Sequence, residues 1–168
     1  MQADLKSLLA SVEIFQGLSE PELVDIIRTA AIREVAPAEI IFDMGEPGDA
    51  MYVIQKGTVR VVQMFPDGTR EILANLQAGQ VFGEMAVIDG LPRTGRAIAV
   101  SPVQLFRLDR QEFNILRSSG QAAAYKVVRN IAKSLSKRLR DANRKLVQFY
   151  NDPDHSLEYL RLRRPQLH

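Results

Sequence analysis

Residues 81–97, with the sequence VFGEMAVIDGLPRTGRA, combine turn glycines, the start of a short helix, one carboxylate and one guanidinium. Gly83 lets backbone N–H groups approach a ligand closely, and a helix that begins at Glu84 directs free amides toward negative charge. Turn residues at positions 89–92 reverse the chain. We therefore expect Glu84 and Arg93 to face one small anionic ligand from opposite ends.

This pair of side chains favours binding over catalysis. Acid–base chemistry at Glu84 needs a second titratable group, a metal or an activated nucleophile, but Asp89 sits in a turn and Thr94 lacks an evident base. Arg93 offers a planar fork of donors to phosphate oxygens, and an ionised Glu84 accepts a hydrogen bond from a sugar hydroxyl. We predict a binding module and no enzyme. The alternative is an ordinary surface ion pair beside a turn.

The composition restricts the class of protein. The chain has 168 residues, of which 46% are hydrophobic, and this predicts one globular domain with an appended element. It has no cysteine, which excludes disulfides and fits a reducing cytoplasm. Its two histidines, His155 and His168, lie in the C-terminal tail, so we expect neither a metal site nor a cofactor. No segment is apolar enough to span a bilayer, and we expect a soluble, cytoplasmic protein.

The spacing of apolar residues predicts an α+β fold. Two helices open the chain, the first over residues 5–15 and the second after a capping box of Ser19 and Glu22. From position 32 the period changes to two, and turn residues separate the segments, which indicates an antiparallel barrel or sandwich. The predicted strands are 33–36, 40–42, 51–55, 58–65, 69–76, 81–82, 96–100 and 103–108. The expected interior residues are Tyr52, Ile54, Val59, Val61, Ile72, Leu73, Phe82, Ile98 and Leu105.

Two further helices follow the strands. Asp109 and Glu112 form a second capping box, and a long helix runs from about residue 121 to residue 149. Its apolar positions have a three/four spacing, which favours pairing with a second helix over packing on its own domain. We therefore expect a homodimer. The apolar positions are Val128, Ile131, Leu135, Leu139, Ala142, Leu146 and Phe149.

The long helix is also strongly basic. Asp141 stands almost alone among its cations, which we interpret as a solvated helix face. Contact with nucleic acid, a membrane or an acidic partner is the alternative. The cations are Lys126, Arg129, Lys133, Lys137, Arg138, Arg140, Arg144 and Lys145.

Residues 82–87 and 92–94 resemble the phosphate-binding cassette of cyclic nucleotide-binding domains, and GDAMYVIQKG at 48–57 is similar to the second glycine-centred signature of that family. The resemblance covers residues 5–149. It implies an antiparallel, jelly-roll-like β-roll flanked by N-terminal helices, a hinge helix at 109–116 and a long C-terminal helix. The implied divisions are the β-roll with its flanking helices at 1–120, a dimerisation helix at 121–150 and a tail at 151–168.

The resemblance also implies a role for each residue of the cassette. Arg93 holds the cyclic phosphate, Glu84 holds the ribose 2′-hydroxyl, and Thr94 touches phosphate or base. Gly83, Met85 and Ala86 contribute backbone contacts.

Further members of the implied ligand-binding set come from outside the cassette, namely Leu73 from the β-roll and Arg138 and Asn143 from the long helix. Gly95 stands where the family usually has alanine. Arg96 stands where a small hydroxyl residue often sits, so it either loosens the pocket or adds a second cation beside the phosphate.

The function implied by the resemblance is that of a stand-alone regulatory protein that binds cAMP in preference to cGMP. It passes occupancy through its C-terminal helix to an unidentified effector protein. Bacterial cAMP receptors are similar, but fewer than about twenty residues follow the long helix here, so we expect no helix-turn-helix and no specific DNA binding. The alternatives are a scaffold protein with a vestigial pocket and a truncated transcription regulator.

Overall fold

The structure, a computed structural model, describes residues 2–151, with side chains from residue 6 onward. The predicted tail at 151–168 lies outside this range except for its first residue, and so do both histidines. A boundary after Ile131 divides the chain into two compact units. The first unit contains every described strand, and the second contains the C-terminal part of the last helix.

The chain opens with the predicted helical region. Helix α1 spans Gln2–Ser11, a 3-10 turn spans Glu13–Phe15, and α2 spans Glu20–Arg28. The first helix ends before Phe15, where we had placed its end, because Val12 adopts an extended conformation. The first capping box is confirmed, since the Ser19 amide donates to Glu22 Oε2 at 2.6 Å.

Eight strands within the described residues form two antiparallel sheets of four strands each. The predicted α+β fold with a jelly-roll-like β-roll is confirmed. Buried apolar residues from both sheets form one core, in which the rings of Phe42, Tyr52 and Phe82 are neighbours. The strands are β1 Ala30–Val35, β2 Ile40–Phe42, β3 Ala50–Lys56, β4 Thr58–Met64, β5 Arg70–Gln77, β6 Val81–Phe82, β7 Arg96–Ala99 and β8 Val103–Asp109. The strand order is β1-β8-β3-β6 in the first sheet and β2-β7-β4-β5 in the second.

The predicted interior differs from the structure at four positions of the second sheet. Ile72 and Leu73 are 50% and 54% exposed, and Val61 and Ile98 are only half-buried. Strand β5 lies at the edge of its sheet, and its pairing with β4 shifts register after Val61, so that Val62 is buried in the core. The other predicted interior residues, Tyr52, Ile54, Val59, Phe82 and Leu105, are all buried.

Three helices complete the described chain. Helix α3 spans Glu84–Asp89 within the cassette, α4 spans Arg110–Ser118, and α5 spans Ala122–Asn151. The Asp109 side chain caps α4 by accepting from the Gln111 amide at 2.8 Å. No helix among residues 2–151 has the length and apolar character needed to cross a membrane.

The first turns of α5 are anchored to the N-terminal helices. Lys126 Nζ donates to Glu22 Oε2 at 2.7 Å, and Asn130 Nδ2 donates to the backbone oxygens of Ile14 and Gln16 at 3.1 and 2.8 Å. Ala123, Ala124, Val127 and Ile131 are buried beside these contacts. The N-terminal part of α5 therefore belongs to the same unit as the β-roll.

The ion pair between Glu22 and Lys126 predicts an acid-sensitive contribution to stability. The hydrogen bond from Lys126, aided by the Ser19 amide, lowers the pKa of Glu22 from 4.5 to about 2. Because the folded pKa is the lower one, this contribution is complete above the unfolded pKa and is lost as pH falls toward the folded pKa. In urea unfolding, we expect the stability difference between wild type and Glu22→Gln to shrink from about pH 6 to about pH 3. Glu112→Gln, at an exposed position of α4, is the control, and a pH-independent difference for Glu22→Gln would contradict the assignment.

Candidate functional site

Arg93 is the central side chain of the candidate site, and it is only 2% exposed. Its Nη1 donates to Gly83 O at 3.0 Å, and its Nη2 donates to Ala50 O at 2.7 Å and to Asp49 Oδ1 at 3.1 Å. The Phe42 ring covers one side, with 4.2 Å from Arg93 Cζ to the ring centroid. Within the described residues, the buried Arg93 Nε has no hydrogen-bond partner. The guanidinium is thus held in place by its two terminal nitrogens, while Nε has no hydrogen-bond partner among the described residues.

The backbone of the cassette is shaped around this side chain. Gly83 adopts a left-handed conformation with φ of 75°, and a Cβ there would lie 2.7 Å from Arg93 Nη1. Gly83 therefore makes room for Arg93 in addition to starting α3, a role that we had not predicted. The Arg93 amide donates to Glu46 O at 2.8 Å, and its carbonyl accepts from the Gly45 amide at 2.9 Å, so the loop before β3 holds the same segment.

A second glycine brings α3 close to this loop. A Cβ at Gly48 would overlap Ala86 Cβ, and it would also lie 3.2 Å from Leu91 O. Only a glycine at this position permits the observed approach of α3 to the loop. The segments that carry the two predicted glycine signatures are therefore in contact, at Gly48 and Ala86.

Asp49 is the site residue that our sequence analysis missed. Its carboxylate accepts from Arg93 and also from Arg107 Nη2 at 2.8 Å. Burial raises the pKa of Asp49, but the hydrogen bond and charge of Arg107, with the charge of Arg93, outweigh burial and hold that pKa below its ordinary value. The available signal was a carboxylate next to Gly48, directly before a strand that reads as buried.

Glu84 and Arg93 are both buried, with 4% of the whole residue exposed in each case. The alternative of an exposed surface ion pair is therefore wrong. Glu84 is the first residue of α3, where the helix dipole favours its negative charge.

The remaining cassette residues differ in exposure. Ala86 and Gly95 are buried, whereas Thr94 is exposed and Met85 is 44% exposed. Leu73 Cδ1 lies 3.6 Å from the place of a Cβ on Gly95, so this leucine is beside the cassette although it is outside the core. Arg138 and Asn143 lie on α5 in the second compact unit, and their part in the site stays a prediction.

Arg96 is engaged by a carboxylate. Its Nε donates to Asp43 Oδ1 at 2.8 Å and its Nη2 donates to Asp43 Oδ2 at 2.6 Å. This bidentate pair lowers the pKa of Asp43 and raises the pKa of Arg96. We considered two roles for Arg96. To act as a second cation beside the phosphate, it would have to break its ion pair with Asp43.

The cassette also contacts the hinge helix α4. The guanidinium of Arg110, the first residue of α4, lies against Gly90 at the end of α3 and occupies the space that a side chain on Gly90 would fill. The Arg110 amide donates to Asp49 O at 2.7 Å. The first residue of α4 is therefore in contact with α3 and with the residue that holds Arg93.

The described residues contain no cluster of side chains that could bind a metal ion. No group of three or more histidine, aspartate or glutamate side chains among those residues could hold a metal ion. The polar groups that converge at the site are suited to an anion that also carries hydroxyl groups.

Comparison with known proteins agrees with this geometry. Residues 32–119 match the family described as "Cyclic nucleotide-binding domain". The chain is 37% identical to a cyclic nucleotide-gated potassium channel of Mesorhizobium japonicum, over 70% of this chain and 31% of the channel. It is 34% identical to the cyclic AMP receptor protein of Thermus thermophilus, over 79% of this chain and 60% of the receptor.

A solved structure is similar as well. The regulatory domain of Toxoplasma gondii PKA, crystallised with cAMP, matches with a TM-score of 0.70 and 26% identity, over 81% of this chain and 50% of that chain. The chain thus spans 31%, 60% and 50% of these three proteins.

The Asp49 side chain is 62% exposed, but its partner Arg93 is buried, so we predict that its loss is costlier than the loss of a carboxylate whose arginine partner is partly exposed. Asp49→Asn leaves the buried Arg93 without an anionic partner, and we expect it to lower the free energy of unfolding by about 1–3 kcal/mol. Asp43→Asn is the matched control, because its partner Arg96 is 28% exposed, and we expect a cost of about 0–1 kcal/mol. Urea unfolding at neutral pH measures both. An equal or larger cost at Asp43 would contradict the assigned importance of Asp49.

Proposed function

Since this chain belongs to the cyclic nucleotide-binding domain family, we propose that it is a regulatory sensor that binds cAMP, with cGMP as the second candidate ligand. The observation that carries this proposal is the buried Arg93 guanidinium, which keeps Nε without a partner in the described residues. A buried cation with a free donor suits a phosphate that completes its hydrogen bonds. The proposed role is binding without catalysis, in the cytoplasm.

In the proposed complex, the cyclic phosphate accepts hydrogen bonds from Arg93 and from backbone amides at Gly83, Met85 and Ala86. Glu84 accepts from the ribose 2′-hydroxyl, which an ionised carboxylate at this depth is suited to do. Asp49 stays ionised and continues to hold Nη2, so that Arg93 is oriented before the ligand arrives.

We propose further contacts to the rest of the nucleotide. Thr94 reaches phosphate or base, and the exposed Leu73 provides an apolar surface next to Gly95. Arg138 and Asn143 contribute from α5. The preference for cAMP over cGMP is supported by the relatives, because the Thermus receptor is named for cyclic AMP and the Toxoplasma domain was crystallised with cAMP.

Transmission of occupancy is proposed to run through the hinge. Arg110 contacts Gly90 and is hydrogen-bonded to Asp49, so a shift of the cassette acts directly on the start of α4. Helix α5 follows α4 after a short connection at 119–121. A partner that contacts α5 would then sense whether the nucleotide is bound.

We also propose that α5 pairs with a second copy of the chain. Apolar side chains stay exposed on its C-terminal part, with Leu139 at 63% and Leu146 at 54%. Two such residues on one face of a helix favour a partner helix over solvent. An effector protein remains a proposed recipient of the signal.

Calorimetry tests the ligand. Wild type should release or absorb heat with cAMP, and Arg93→Ala should weaken binding by about 2–5 kcal/mol because the phosphate loses a buried charge partner. Arg96→Ala is the matched control, since it removes an equal charge nearby that Asp43 already occupies, and it should change affinity far less. Absence of heat and of thermal stabilisation with both cAMP and cGMP would favour a scaffold protein with a vestigial pocket.

Light scattering tests the dimer. Leu139→Arg places a charge in the proposed helix pair and should yield monomers. Ser136→Arg adds the same side chain to the same helix outside the apolar positions, and it should leave the mass of wild type unchanged. A dimeric Leu139→Arg variant, or a monomeric wild type at all accessible concentrations, would refute pairing through these positions.

A further inference from the structure

Positive charge is concentrated in the C-terminal half of α5. Residues 132–151 contain six lysines and arginines and a single acidic residue, Asp141. Residues 1–131 contain thirteen lysines and arginines against sixteen aspartates and glutamates. The first compact unit is therefore slightly acidic, while the described part of the second unit carries a strong excess of positive charge.

Four of the six cations lie on one face of the helix. Lys133, Lys137, Arg140 and Arg144 are spaced by four, three and four residues, which places them within an arc of about 60° and along about 17 Å of helix axis. All four are exposed. We call this set the basic stripe.

The stripe is open to an anionic partner. No acidic side chain among the described residues pairs with Lys133, Lys137 or Arg140. Arg144 Nη1 lies 3.1 Å from Asp141 Oδ1, but their side chains are 74% and 48% exposed, and such a pair contributes little and exchanges readily.

The apolar positions of the same helix lie on the side nearly opposite the basic stripe. Leu135, Leu139, Ala142 and Leu146 are centred about 160° around the axis from the basic stripe. The stripe is therefore available whether or not these apolar positions pair with a second helix.

We propose that the basic stripe binds the phosphate backbone of duplex DNA without sequence preference. A row of cations about 6 Å apart complements a polyanion with a phosphate charge on every nucleotide. No apolar residue lies within the stripe between 133 and 144, so an acidic protein would find no hydrophobic anchor there. A peripheral membrane helix buries the apolar face that lies opposite its cations, but in this chain we propose that the apolar positions of α5 pair with a second copy.

The proposal gives a measurable salt dependence. Four phosphate contacts predict a slope of about −3.6 in a plot of log Kobs against log salt, with a dissociation constant on the order of 10⁻⁴ to 10⁻⁶ M near physiological salt. Neutralising three cations of the stripe should change that slope by about 2.7 toward zero. Because the measurement needs no cyclic nucleotide, its outcome is independent of the proposed sensor function.

The test is fluorescence anisotropy of the full chain with a labelled duplex of mixed sequence, between about 50 and 200 mM salt. Wild type is compared with the triple variant Lys133→Gln/Lys137→Gln/Arg140→Gln. The control is Lys56→Gln/Arg70→Gln/Arg117→Gln, which changes net charge equally at exposed positions of the first unit. Helical circular dichroism checks that both variants fold.

The expected result is a flattened slope for the stripe variant and an unchanged slope for the control. Equal slopes for wild type and the stripe variant would overturn the proposal, and so would an equal loss in the control. Phosphatidylserine vesicles and polyglutamate are parallel probes. Binding to either of them by a chain that does not bind the duplex would also overturn it.

Discussion

The buried guanidinium of Arg93 constrains more of this molecule than any other group. A cation at 2% exposure must be surrounded by acceptors, and here two backbone oxygens and one carboxylate supply them. This requirement brings three segments that are distant in sequence to one point. Gly83 leaves space for the guanidinium, Asp49 neutralises it, and the backbone of residues 45 and 46 holds its segment in place.

The proposed binding and the proposed transmission would both use this arrangement. The residues that orient Arg93 also contact the start of α4, because Asp49 O accepts from the Arg110 amide and Arg110 lies against Gly90. In the proposed complex, a ligand that engages Arg93 Nε, which has no partner among the described residues, would act on a group already linked to the hinge helix. The regulatory role that we propose for this chain therefore needs no further side chains between the cassette and α4, because the two are in direct contact.

Short sequence patterns predicted the features that depend on neighbouring residues, namely the strands and the first helix cap. Period-two segments and turn glycines predicted the eight strands to within a few residues, and the Ser19–Glu22 capping box is present. The register shift between β4 and β5 could not be seen in one strand alone, so Ile72 and Leu73 were wrongly placed in the core. Asp49 and Asp43 were missed as arginine partners because those ion pairs join residues far apart in sequence. Resemblance to a family supplied the ligand, which periodicity and charge alone left open as a small anion.

A crystal structure of the chain with cAMP tests the central claim most directly, because it measures the distance from Arg93 to the cyclic phosphate. The account predicts that Arg93 Nε and a terminal nitrogen lie within about 3.2 Å of phosphate oxygens, with Gly83 O and Ala50 O still accepting from the same guanidinium. Glu84 should lie within hydrogen-bond distance of the ribose 2′-hydroxyl. A nucleotide bound elsewhere, with Arg93 still held only by Gly83, Ala50 and Asp49, would contradict the account.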